Sequence, residues 1–127
     1  MSSNDLEVNK CWIRLFPSDR FSALYFDVTN NSETETAYIV GVSSEKFKEA
    51  DMHETYTAEG VMAGMRSVDW VEVAPKSTVN FKSGGYHVML SKHEVNVGDE
   101  VEFSLKLSNH ETKSFSCKAN DIKSVAY

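Results

Sequence analysis

Val101-Glu102-Phe103-Ser104-Leu105-Lys106-Leu107 carries an apolar residue at every second position, and that alternation decides the fold class. Successive side chains of an extended chain point to opposite faces, so one side of this segment is buried and the other is wet. Shorter β-rich segments recur at residues 11–16, 23–30, 37–43, 51–57, 68–73, 78–81, 86–90 and 114–118. Turn formers separate them, among them Pro17-Ser18-Asp19, Asn30-Asn31-Ser32, Pro75-Lys76-Ser77, Ser83-Gly84-Gly85 and Val97-Gly98-Asp99. About seven to nine strands at this spacing indicate an all-β domain, a sandwich or a small barrel. Residues 44–50 allow one helical turn, and glycines at 60 and 64 make the segment 59–65 read as a loop.

At 127 residues the chain is long enough to bury a core without metal or disulfide support. The expected layout is a flexible segment 1–9 followed by one domain over 10–127. With 19 acidic against 13 basic residues the formal charge is −6, and no basic cluster interrupts it, so nucleic acid is not an expected partner. No apolar run approaches the roughly 20 residues needed to cross a bilayer. Met1-Ser2-Ser3-Asn4-Asp5 shows neither the basic nor the apolar region of a secretory leader, as expected of a mature form. There is no G-x-S-x-G, H-E-x-x-H or Walker loop, and the carboxylates are scattered, so an enzyme is not expected.

Within Gly84-Gly85-Tyr86-His87-Val88-Met89-Leu90, His87 and Met89 share one strand face while Tyr86, Val88 and Leu90 take the other. A thioether beside an imidazole, away from the apolar set, is free to act as a soft donor. With His53 and Met65 upstream the pattern is H-x11-M-x21-H-x-M. Copper(I) suits imidazole and thioether, whereas calcium and magnesium want oxygen. Neutral donors leave a bound ion with a charge of about +1, a modest cost at a surface. Thioethers also form no disulfides, which fits a carrier working outside the cytosol.

These residues resemble the PCu(A)C periplasmic copper chaperones, which carry a histidine, then G-V-M-x-M-R, then G-G-Y-H-x-M-L. The matching pieces are His53, Gly60-Val61-Met62-Ala63-Gly64-Met65-Arg66 and Gly84 to Leu90. The resemblance implies a cupredoxin-like or Ig-like Greek-key β-sandwich, monomeric, binding one Cu(I) through His53, Met65, His87 and Met89. It further implies delivery of copper to the CuA centre of cytochrome c oxidase subunit II, alone or with a Sco-type protein. The family has ten residues between its first histidine and the ligand methionine, and here there are eleven because Ala63-Gly64 replaces one residue. Met65 keeps the following Arg66 and is favoured as the third ligand; Met62 keeps the Gly-Val-Met context and is the alternative. Ser67 stands where a proline is common, and no Met- and His-rich tail suggests a second copper site.

His93 and His110 read as solvated loop and turn residues, with His93 a stray nitrogen ligand for Cu(II). Met52 alternates with His53 and should pack in the core, and Trp12 and Trp70 read as core or rim packing. Cys11 and Cys117 fall in the first and last strands, leaving open a disulfide or two inert thiols. The rival functions are copper storage or resistance at the same site, and a metal-free Ig-like interaction module.

Overall fold

The alternation at 101–107 is the inner face of a strand: Val101, Phe103, Leu105 and Leu107 are buried, whereas Glu102 and Lys106 are exposed. A computed structural model of the chain describes residues 2–17, 19–58 and 60–121, with the side chains of Ala58, Met62, Ala63 and Lys92 outside the description. After a single 3-10 turn at Ser3–Asp5 come ten strands: β1 (Leu6–Leu15), β2 (Ser22–Asn30), β3 (Ala37–Ser43), β4 (Phe47–Ala58), β5 (Val61–Ser67), β6 (Val71–Val73), β7 (Thr78–Phe81), β8 (Tyr86–His93), β9 (Glu100–Leu107) and β10 (Thr112–Asp121). They form one continuous sheet in the order β5-β4-β8-β7-β2-β1-β10-β9-β3-β6, with β8 also pairing with β2.

The sheet folds back on itself through β1, which runs antiparallel to β2 on one side and parallel to β10 on the other. Register with β2 shifts between Asn9 and Trp12, where Lys10 takes φ 54°. An extra residue in one strand bends it and increases its twist. The two halves thereby close on a shared core. The ring of Phe26 on β2 lies 5.3 Å from that of Phe115 on β10, and the ring of Phe47 on β4 lies 5.9 Å from that of Phe103 on β9. Phe26 also stacks on Phe81 at 4.4 Å. Leu24, Val28, Val88 and Leu90 fill the rest of this half with no exposed surface. The all-β sandwich expected from the sequence is what the chain forms.

Three local expectations are corrected and a fourth is narrowed. The segment read as a loop over 59–65 is, from Val61, a strand: Val61–Ser67 pairs with β4, with Glu59 outside the described residues. Residues 44–50 hold no helical turn, because Phe47 starts β4 and is only 4% exposed in the core. The first strand begins at Leu6, inside the segment read as flexible, since Leu6 is buried and pairs with Asn30. Trp70 is not in the core, being 54% exposed. Met52, by contrast, is buried as its alternation with His53 requires.

Cys11 and Cys117 are joined by a disulfide across the parallel β1–β10 pair, with Cα atoms 5.3 Å apart. The bridge ties the two halves of the sheet at the bend. It closes a loop with a sequence separation of 106. On the chain-entropy account this restricts the unfolded chain by about 4.7 kcal/mol. The double variant Cys11→Ser/Cys117→Ser is expected to lose about that much in urea unfolding. An unchanged midpoint would show that the bridge constrains nothing.

Candidate metal centre

Directly opposed residues of neighbouring strands point to the same face, so the register of β5, β4 and β8 determines which side chains meet. His53 on β4 stands opposite His87 on β8 and Ser67 on β5. One row away, Asp51 stands opposite Met89; one row in the other direction, Thr55 stands opposite Met65. The sheet therefore brings His53, His87, Met65 and Met89 to one face, across three adjacent strands. The two imidazoles are 5.9 Å apart between ring centroids and tilted by 37°. Residues on adjacent strands lie about 5 Å apart and alternate residues on one strand about 7 Å, distances that long side chains can close onto one ion.

The four side chains form a gradient from interior to surface. His87 is buried, His53 and Met89 are half-buried, and Met65 is 57% exposed on the edge strand. His87 is also oriented. Its Nδ1 lies 3.0 Å from the Gly85 carbonyl oxygen, which only accepts, so Nδ1 carries the proton and donates it. In the neutral ring the lone pair then sits on Nε2, the arrangement that prepares a histidine for a metal. Gly84, at φ 86°, supplies the left-handed residue of the turn that sets Gly85 in place. Among the described residues no three His, Cys, Asp or Glu side chains converge. Met65 and Met89 share the face of the histidine pair, and the four together make a donor set that fits a soft monovalent ion such as Cu(I).

The eleven-residue spacing has a structural answer. Thr57 pairs with Met62 and Tyr56 with Gly64, which leaves Ala63 without a partner and makes the added residue a β-bulge. The bulge lies before Met65, so the register from Gly64 to Ser67 is undisturbed. Gly64 takes φ 153°, and a Cβ there would come within 3.3 Å of the Tyr56 hydroxyl. Met62 stands opposite Thr57, two residues farther along β4 than the partner of Met65. Its side chain is outside the described residues.

Arg66, read from the sequence only as a motif neighbour of Met65, joins Glu54 and Tyr56 in holding β5 in this register from the other face. Arg66 donates from Nε and Nη2 to one carboxylate oxygen of Glu54, at 3.2 and 3.0 Å, and its guanidinium lies 5.0 Å from the centre of the Tyr56 ring. An opposite-charge pair across two strands was the available signal, but it was invisible while 59–65 read as a loop. His93 is corrected as well. It is 9% exposed, its Nδ1 accepts from the Val95 amide at 3.1 Å, and its Nε2 donates to the Phe16 carbonyl at 2.8 Å. Both nitrogens are engaged, so it offers no lone pair to copper. His110 is exposed beside the β9–β10 turn, as expected.

The family model LpqE-like, whose description is of a lipoprotein, matches residues 6–119. A protein of Leifsonia xyli subsp. xyli that is named as a lipoprotein is 25% identical over 122 residues, which cover 94% of this chain and 72% of that protein. Across the curated relatives it matches, the chain spans between 56% and 72% of their length. Among solved structures, the apo PCuAC domain of PmoF2 superposes with a TM-score of 0.76 at 19% identity, over 97% of this chain and 95% of that one. The Cu(I) form of DR1885 from Deinococcus radiodurans gives a TM-score of 0.68 at 26% identity, over 91% of this chain and 76% of that one.

The His53 pKa lies below its ordinary 6.5, chiefly because burial disfavours the charged ring and secondarily because His87 is beside it; Asp51 opposes both. A lowered value keeps the imidazole neutral to lower pH, so protons compete with a metal for His53 only below the ordinary range. Cu(I) affinity is expected to hold down to about pH 6.5 and to weaken below it, with a smaller slope in His53→Ala. A pH slope unchanged in His53→Ala would contradict ligation by His53.

Proposed function

The chain belongs to the LpqE-like family and has the fold of the PCuAC copper chaperones, and from that premise we propose that it is a Cu(I) metallochaperone. It holds one ion per chain through His53, His87, Met65 and Met89. The observation that carries this reading is the cross-strand His53–His87 pair, flanked on the same face by two methionines and oriented at His87 by the Gly85 carbonyl. The relative known in a Cu(I) form, DR1885, supports the choice of metal.

The exposure gradient suits a carrier. Met65, on the free edge of the sheet, is the first donor an acceptor can displace, while buried His87 keeps the ion in place until the new bonds form. Thioether ligation is weak compared with thiolate, so the ion moves downhill to a cysteine-containing acceptor. The acceptor under this proposal is the CuA centre of cytochrome c oxidase subunit II, reached directly or with a Sco-type protein. The work is binding and transfer, with no bond chemistry required of the protein. The compartment is outside the cytosol, in the periplasm: the family description is of a lipoprotein, and the Cys11–Cys117 bridge belongs in an oxidising environment.

The test is a Cu(I) titration without oxygen against a competing chelator, with ascorbate as reductant so that the disulfide survives. One-to-one binding is expected, lost in His87→Ala, weakened about tenfold or more in Met65→Ala and unchanged in Met62→Ala; tenfold corresponds to about 1.4 kcal/mol. No binding by the intact protein would end the chaperone reading. Weakening in Met62→Ala alone would move the third ligand to that residue.

A further inference from the structure

His53 borders two spaces. One is the sheet surface it shares with His87, Met65 and Met89. The other is a cleft at the side of the sandwich, lined by Val40 on β3, by Asp51 and His53 on β4, and by Ser67 and Asp69 where the chain leaves β5. The described lining residues include two carboxylates, Asp51 and Asp69, and no lysine or arginine. The cleft is therefore an acidic entrance that ends on an imidazole of the candidate centre.

Its outer lip is apolar. β3 pairs with β6 through Tyr38–Glu72 and Ile39–Val71; Val40 follows on β3, and Trp70 stands between Asp69 of the cleft and the start of β6. Trp70 is 54% exposed, Val40 38% and Tyr38 40%. An indole and a valine at this edge of the sheet leave apolar surface in water, and tryptophan is among the residues that contribute most when an interface covers them. Glu72 lies exposed beside Tyr38, continuing the acidic rim.

Ligand exchange constrains where a copper acceptor must sit. Its donor atom has to reach bonding distance of the ion while this protein's ligands are still attached, so the acceptor must cover the ground next to one of them. We propose that the cleft and its Val40–Trp70 lip are the docking surface for a copper-accepting protein whose own metal loop is ringed by apolar side chains and flanked by basic ones. The indole seats against the apolar ring, the basic flank meets Asp51, Asp69 and Glu72, and the incoming donor enters beside His53. Attraction between opposite rims speeds the encounter and sets the orientation more than it adds affinity, as a partner that must leave after transfer requires. This inference rests on the chaperone reading and adds to it the surface and the chemistry of the partner.

Stopped-flow transfer of Cu(I) to the apo CuA domain of cytochrome c oxidase subunit II tests it, with Trp70→Ala and Asp69→Lys compared with the intact protein. Both positions are exposed, so the fold is not expected to suffer. Cu(I) affinity and the rate of loss to a small chelator should equal those of the intact protein in both variants. Transfer to the CuA domain should slow about tenfold or more in each, and added salt should slow the intact protein but not Asp69→Lys. Variants that bind copper and transfer it at the unaltered rate would overturn the docking surface while leaving the chaperone reading intact. An intact protein that binds no Cu(I), or binds it and yields none to the domain, would fail at the earlier step and overturn both the delivery assignment and the surface that depends on it.

Discussion

The opposition of His53 and His87 is held in place by what lies behind it. The register that pairs the imidazoles on the outer face also pairs Met52 with Val88 on the inner face, where both are buried. A slip of β4 by one residue against β8 would turn His53 into the apolar core and bring Met52 into water. An imidazole buried without a partner would cost on the order of 1–3 kcal/mol, besides the lost apolar burial. The hydrophobic core thus fixes the spacing of the proposed donors. Met65 depends on the next register outward, which Glu54, Tyr56 and Arg66 hold from the opposite face.

This division of labour places rigidity and exchange at different depths. His87 sits at the inner end, with Nδ1 committed to a backbone carbonyl. Met65 sits at the outer end, on a strand with one unpaired edge. On the proposed reading, a soft ion held between them would be protected enough to be carried and open enough to be taken. The disulfide acts elsewhere, at the bend where β1 passes from one half of the sheet to the other, and so stabilises the frame without touching the donor face.

Much of this was legible in the residue pattern. The period of two in Val101 to Leu107 gave the β class because that strand is central and has one wet face, and the interval between His87 and Met89 gave a shared strand face for the same reason. The segments misread were those in which local signals point away from tertiary structure. Gly60 and Gly64 looked like loop markers, but Gly64 serves a strand at φ 153°, a conformation L side chains rarely adopt, where a Cβ would press to 3.3 Å from the Tyr56 hydroxyl. The bulge at Ala63 hides any alternation in β5. Phe47 stands in a charged stretch and is drawn into the core by Phe103 on a distant strand, which no local window can show. His93 looked solvated because its two partners, Phe16 and Val95, become neighbours only once the sheet has formed. The pairing of Cys11 with Cys117 likewise depends on the parallel β1–β10 contact between the two ends of the chain.

The central claim is that two imidazoles and two thioethers share one ion on the β5–β4–β8 face. X-ray absorption at the copper edge of the Cu(I)-loaded protein tests it most directly. The account requires a first shell of two nitrogen and two sulfur neighbours, losing one sulfur in Met65→Ala and one nitrogen in His53→Ala. A shell of nitrogen and oxygen alone, or one unchanged by either substitution, would contradict it.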